Sequence, residues 1–103
     1  MRGYTISERE LWLYARDRKL LLVDLREPAE YMAGHLPGAV NIPFDRFNGH
    51  SDLLKAGSFE MVVFYCERGN LSLRMARSFT EQGFRAASLA GGMMSYGGRI
   101  VSS

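Results

Sequence analysis

Apolar and polar positions fall into blocks along the chain, and the length and spacing of each block predicts one kind of element. Ser7-Glu8-Arg9-Glu10 has capping-box spacing: the serine can accept from the backbone three residues on while the glutamate reaches back. A helix is predicted to start there, with Leu11, Trp12 and Ala15 on one stripe and Arg16-Asp17-Arg18-Lys19 closing it. Leu20 to Val23 is a short unbroken apolar run, as a strand covered on both faces of a parallel sheet requires, and Asp24 sits at its C-terminal end. Pro28 suits the first turn of a helix, where its missing N–H is not needed, so residues 28–33 read as one or two turns. Pro37-Gly38 is a turn, and Ala39 to Ile42 a brief strand stopped by Pro43. Met61 to Tyr65, apolar and rich in β-branched and aromatic residues, is predicted as a strand. Leu71, Met75 and Phe79 recur every four residues, joined by Ala76, and predict a helix that stops at Gly83. Ala86 to Leu89 follows as a last strand, Gly91-Gly92 as a turn, and Met93 to Tyr96 as the start of a terminal helix. Between residues 44 and 58 the pattern weakens; Asn48-Gly49-His50 reads as loop and Asp52 to Ala56 as a short helix. The serial order of strands and helices predicts an α/β domain with a largely parallel sheet.

Composition narrows the class. The 103 residues suit one domain spanning 1–103, and 47% hydrophobic with 23% charged residues is an ordinary globular balance. Lys and Arg number 13 against 11 Asp and Glu, with the signs interspersed, which gives a nucleic-acid partner no support. No apolar run approaches the roughly 20 residues of a membrane-spanning helix, so no membrane partner is expected. Met1 to Ile6 lacks the apolar segment of a signal peptide, and a lone cysteine is most easily kept reduced in the cytosol, so a cytoplasmic location is expected.

That cysteine is the candidate for chemistry. Tyr65-Cys66-Glu67-Arg68-Gly69-Asn70-Leu71-Ser72 sets a thiol where an apolar strand ends and a helix is about to begin. Ligands of open α/β sheets bind beyond the carboxyl ends of the strands, and a helix N-terminus brings unpaired N–H groups and the positive end of its dipole. A loop curled round the sulfur would form an amide nest that favours an anion. Gly69 permits backbone geometries a larger residue resists, and Arg68 offers a planar set of donors to an anionic substrate. The same segment also fits a buried structural cysteine, which packs as a small hydrophobe.

Two further segments carry a family resemblance. Val23-Asp24-Leu25-Arg26-Glu27-Pro28-Ala29-Glu30-Tyr31-Met32-Ala33-Gly34-His35-Leu36-Pro37-Gly38-Ala39-Val40-Asn41-Ile42-Pro43 is similar to the N-terminal signature of rhodanese domains, and Leu89-Ala90-Gly91-Gly92-Met93-Met94-Ser95-Tyr96 resembles their second signature. The resemblance runs from about residue 6 to about residue 98. It implies the rhodanese-like α/β fold, a five-stranded mainly parallel sheet flanked by helices, with Cys66 in the catalytic position and the loop Glu67, Arg68, Gly69, Asn70, Leu71 and Ser72 round the substrate. It implies a sulfurtransferase that takes sulfane sulfur from a small anion such as thiosulfate, or from a persulfide or polysulfide, and passes it to cyanide, a thiol or a protein acceptor. No metal or organic cofactor is implied. Asp24 and Arg26, at a neighbouring strand end, are expected to form a structural ion pair or loop hydrogen bonds near the site ahead of direct substrate contact, and His35 to hydrogen-bond structurally.

One departure from the family pattern bears on activity. The arginine common five positions after the cysteine is replaced by Leu71, with Arg68 as the candidate substitute and Arg74 as a weaker one. Glu67 adds a negative charge beside the sulfur, expected to point to solvent. A phosphatase needs a loop one residue longer, with its arginine where this chain has Ser72. A sulfur-carrier or protein-interaction module without catalysis is the other reading that the missing arginine permits.

Overall fold

In the computed structural model, which describes residues 3–49, 51–53 and 57–102, the elements run β1 (Thr5–Ile6), α1 (Glu8–Asp17), β2 (Leu20–Asp24), α2 (Pro28–Ala33), β3 (Val40–Asn41), a 3-10 turn (Phe44–Arg46), β4 (Met61–Tyr65), α3 (Asn70–Glu81), β5 (Ala86–Leu89) and α4 (Gly92–Ser95). Helix α1 begins at the capping box: Ser7 Oγ accepts from the Glu10 N–H at 3.1 Å and the Glu10 carboxylate accepts from the Ser7 N–H at 2.9 Å. Helix α2 has its proline in the first turn.

The strands form one five-stranded sheet ordered β1-β5-β4-β2-β3, and every strand pair is parallel. Helices flank this sheet as the resemblance implied. An antiparallel bridge between His35 and Val101 adds a stitch outside it. Strand β1 is a feature the apolar pattern did not predict, since two residues are too few to show a period. It is held by pairing with β5, with the Ser88 N–H donating to the Tyr4 carbonyl at 2.7 Å. Strand β3 is shorter than residues 39–42, because the Ala39 N–H turns back to the Leu36 carbonyl. Helix α4 starts at Gly92 and closes after one turn. Residues 51–53 are helical, while His50 and the remainder of the short helix expected over Asp52 to Ala56 lie outside the described residues. No helix among the described residues is long and apolar enough to cross a membrane.

Strand β4 lies at the centre of the sheet and is buried along its whole length. Its side chains alternate between two cores, as the two-residue period of a strand dictates. Met61, Val63 and Tyr65 join Leu11, Leu22 and Leu36 on one face, where Trp12 of α1 also packs. Val62 and Phe64 join Ala76 and Phe79 of α3 on the other. The same parity carries Cys66 to the α3 face and sends Tyr65 the opposite way.

Phe79 is the aromatic hub on the α3 face, with ring centroids of Phe47, Phe64 and Phe84 at 5.8, 5.5 and 5.4 Å. Phe79→Ala is expected to lower stability by about 3–5 kcal/mol in urea unfolding. A loss below about 1 kcal/mol would show that α3 is anchored elsewhere.

Candidate active site

Beyond β4 the chain needs a turn tight enough to start α3 beside the strand it has just left. Gly69 makes it, at φ +99° in left-handed backbone, with Gly91 so near that a Cβ on residue 69 would sit 3.4 Å from the Gly91 nitrogen. The turn aims two peptide donors at one atom. The Gly69 N–H lies 3.2 Å and the Ser72 N–H 3.4 Å from Cys66 Sγ. Ser72 Oγ is also 3.4 Å from the sulfur, where the thiol donates to it, and stands 2.7 Å from the buried hydroxyl of Ser88. Cys66 is only 5% exposed and belongs to the core on one side, yet it lines a cleft on the other.

Helix α4 holds the start of the loop through its neighbouring peptide groups. The Met93 N–H donates to the Cys66 carbonyl at 2.9 Å and the Met94 N–H to the Glu67 carbonyl at 2.8 Å. These bonds engage the loop's carbonyls on the α4 side while the Gly69 and Ser72 amides face the sulfur. The approach depends on Gly92: at φ +64°, a Cβ there would fall 2.5 Å from the Cys66 oxygen and 2.7 Å from the Glu67 oxygen. Sequence reasoning marked Gly91-Gly92 only as a turn and missed both this role and Ser88. The glycine doublet was the one local signal for the first; a lone serine inside an apolar strand offered none for the second.

The cleft over the sulfur has a volume of about 300 Å³ and is lined by Leu25, Arg26, Phe44, Leu71 and several carboxylates. Arg26 makes a forked contact with Asp24, Nη2 to Oδ2 at 2.9 Å and Nε to Oδ1 at 3.1 Å, and donates to the Gly34 carbonyl at 2.6 Å. Both side chains are nearly sealed, at 7% and 0% exposed. Burial works against the charge on Arg26, but the carboxylate bonded to it and its charge prevail and hold the guanidinium above its ordinary pKa. Asp24 lies in register with Tyr65 across the β2–β4 pair. Burial first, then the hydrogen bond to Asp24, pushes the Tyr65 phenol above its ordinary range, and its oxygen accepts from the Leu36 N–H at 3.1 Å.

The remaining residues singled out in the sequence are distributed unevenly. Glu67 is half exposed but leans on Arg26, Oε1 to Nη1 at 3.8 Å, instead of simply facing solvent. Arg68 and Asn70 are exposed and line, with Cys66, Glu67 and Leu71, a second recess of about 200 Å³. Leu71 borders both openings. Arg74 lies over the Phe44 ring, 5.4 Å from its centroid. His35 stacks on Tyr31 with Nδ1 2.7 Å from the Tyr31 carbonyl oxygen, and nothing places it at the sulfur. Among the described residues no group of three or more His, Cys, Asp or Glu side chains is arranged to hold a metal ion.

Comparison with known proteins agrees with the fold. Residues 7–98 match the rhodanese-like domain family. The chain is 36% identical over 98 residues to the Mycobacterium tuberculosis protein "Probable adenylyltransferase/sulfurtransferase MoeZ", an alignment covering 92% of this chain and 25% of that protein. It therefore spans about a quarter of that relative's length. It is 26% identical over 105 residues to the Saccharomyces cerevisiae "Thiosulfate:glutathione sulfurtransferase", covering 91% of this chain and 76% of that one. Among solved structures, a rhodanese-related protein from Thermoplasma volcanium superposes with a TM-score of 0.78 at 21% identity, covering 98% of this chain and 100% of the other, which is a likeness of fold.

The Gly92 contact sets an expectation. Gly92→Ala should cost about 1–3 kcal/mol of stability and displace the loop carbonyls, so that Cys66 reacts more slowly with iodoacetamide at neutral pH. Unchanged stability and alkylation rate would show that the Cβ is accommodated without moving the loop.

Proposed function

The chain belongs to the rhodanese-like domain family, and from that premise we propose that it is a sulfurtransferase in which Cys66 receives a sulfane sulfur, carries it as a persulfide and hands it to an acceptor. Relatives named as sulfurtransferases support the family-level activity. The observation that carries the assignment to Cys66 is the pair of peptide donors at 3.2 and 3.4 Å from a sulfur that also faces a cleft. Donors fixed before reaction, around a sulfur that is itself nearly buried, stabilise charge without reorganising.

With thiosulfate, the thiolate attacks the outer sulfur, the Cys66 S–S bond forms as the donor S–S bond breaks, and sulfite leaves with the electron pair. The product is an anionic persulfide, so the same electrostatic cradle serves before and after the step. Ser72 can turn its hydroxyl hydrogen toward the anion while Ser88 donates to Ser72, since hydroxyl hydrogens rotate to suit their partners. An acceptor thiol or cyanide then attacks the outer persulfide sulfur and restores the thiolate. The proposed contacts to donor and acceptor are Glu67, Arg68, Gly69, Asn70, Leu71 and Ser72, with Asp24 and Arg26 as structural support. A cytoplasmic location and one functional unit over residues 1–103 belong to the same proposal.

A second reading rests on Leu71, which presents hydrocarbon to the cleft where the family commonly has a cation. On that reading the domain stores sulfur or binds a protein partner without turning over small donors.

Mass spectrometry after incubation with thiosulfate, and separately with polysulfide, is expected to find one added sulfur atom on Cys66, removable by reductant and absent from Cys66→Ser. No addition with any donor would sink the sulfurtransferase assignment, and loading without turnover to cyanide would favour the carrier. Arg68→Ala is expected to raise KM for thiosulfate several-fold with little change in stability, because Arg68 is exposed and lines the smaller recess; identical kinetics would remove Arg68 from the site.

A further inference from the structure

The rim of the main cleft is acidic. Glu27, Glu30, Asp45 and Glu67 line it together with Cys66, while Arg26 is the one basic residue among the described residues that line it. The charge of Arg26 is already matched by buried Asp24 at 2.9 Å, and it further touches Glu67 at 3.8 Å. Arg46 stands beside the rim, at 2.9 Å from Glu27 and 3.8 Å from Asp45, and Arg74 lies over Phe44. Arg46 offsets part of the negative charge on Glu27 and Asp45, but Glu30 has no described salt bridge, and on the loop side Leu71 brings no cation to this cleft while Arg68 lines the smaller recess instead. The amides at the floor favour a negative sulfur, whereas the walls oppose a second and third negative charge arriving with the donor.

We propose that this cleft selects donors by charge, and that its preferred donor is a persulfide flanked by positive charge, with dianionic thiosulfate disfavoured. The inference rests on the proposed sulfur transfer to Cys66 and names the substrate class of that same site. Glu27, Glu30, Asp45 and Glu67 are its specificity-determining residues. The step is balanced: Cys66 thiolate attacks the terminal sulfur of R–S–SH, a Cys66 S–S bond forms, the donor S–S bond breaks, and R–S⁻ leaves with the electron pair. An ammonium or guanidinium on R stabilises both the approach past the carboxylates and the departing thiolate. A small aminothiol persulfide and a persulfidated cysteine in a basic peptide segment share this chemistry.

The test compares loading of Cys66 in the intact chain by four donors: thiosulfate, cysteamine persulfide, a cysteinyl peptide persulfide flanked by lysines, and its counterpart flanked by glutamates. At low ionic strength the lysine peptide is expected to load about tenfold or more faster than the glutamate peptide, and the gap should close at high salt as the rim is screened. Glu30→Gln and Asp45→Asn together should narrow the gap and speed thiosulfate while leaving the fold intact by circular dichroism. Fast loading by cysteamine persulfide as well would assign the preference to small carriers, and loading by the peptide alone to a protein carrier; both keep the charge rule. Equal rates for the two peptides, or a preference insensitive to salt and to the rim substitutions, would overturn it while leaving sulfur transfer standing. Failure of every donor to load Cys66 would remove the sulfur-transfer reading and this inference together.

Discussion

Two peptide N–H groups point at Cys66 Sγ because the chain between them turns through left-handed Gly69 while the carbonyls of residues 66 and 67 are bound by α4. The two bound carbonyls belong to the peptide groups just before the Gly69 donor, so α4 restrains the stretch of chain from which the donors project. The site is thus assembled from backbone, and its side chains tune access. Helix α3 supplies the N-terminal end of its dipole, α4 restrains the loop from behind, and β4 sets the starting point. Each of these elements has its position fixed by the packing of the sheet.

The buried ion pair beside the cleft has a different purpose. A sealed Asp24–Arg26 pair costs desolvation that its attraction roughly offsets, so its contribution to stability is small while loss of one partner is expensive. What the pair does hold is geometry. Arg26 joins the end of β2 to the carbonyl of Gly34 by a hydrogen bond and to Glu67 by an ion pair at 3.8 Å, and the Leu25 N–H donates to the Tyr65 carbonyl, so the segments after β2, α2 and β4 are tied together.

Much of this architecture was legible in the sequence because its signals are local. The capping box at Ser7 and Glu10, the proline at the head of α2, and the four-residue recurrence of Leu71, Met75 and Phe79 each predict an element from its own residues, and those elements stand where the pattern put them. The position of Cys66 between strand and helix was legible for the same reason. Contacts between distant segments were not. Strand β1 exists only by pairing with β5, Ser88 meets Ser72 across sixteen positions, and Glu67 turns to Arg26 because a buried carboxylate and a cleft bring that guanidinium to the loop. No period or spacing encodes a meeting of that kind. The acidic wall of the cleft belongs to this class too, since its members come from the segments following β2, β3 and β4.

The two outermost strands of the sheet, β1 and β3, are each only two residues long. An exposed sheet margin is a template on which another polypeptide can add a strand, and natural proteins protect themselves by keeping such margins short. Here the long apolar strand sits in the middle and the margins offer almost no run of unpaired backbone. The loop round Cys66, at the carboxyl end of the sheet, therefore stands beside strands whose margins give another chain little to pair with.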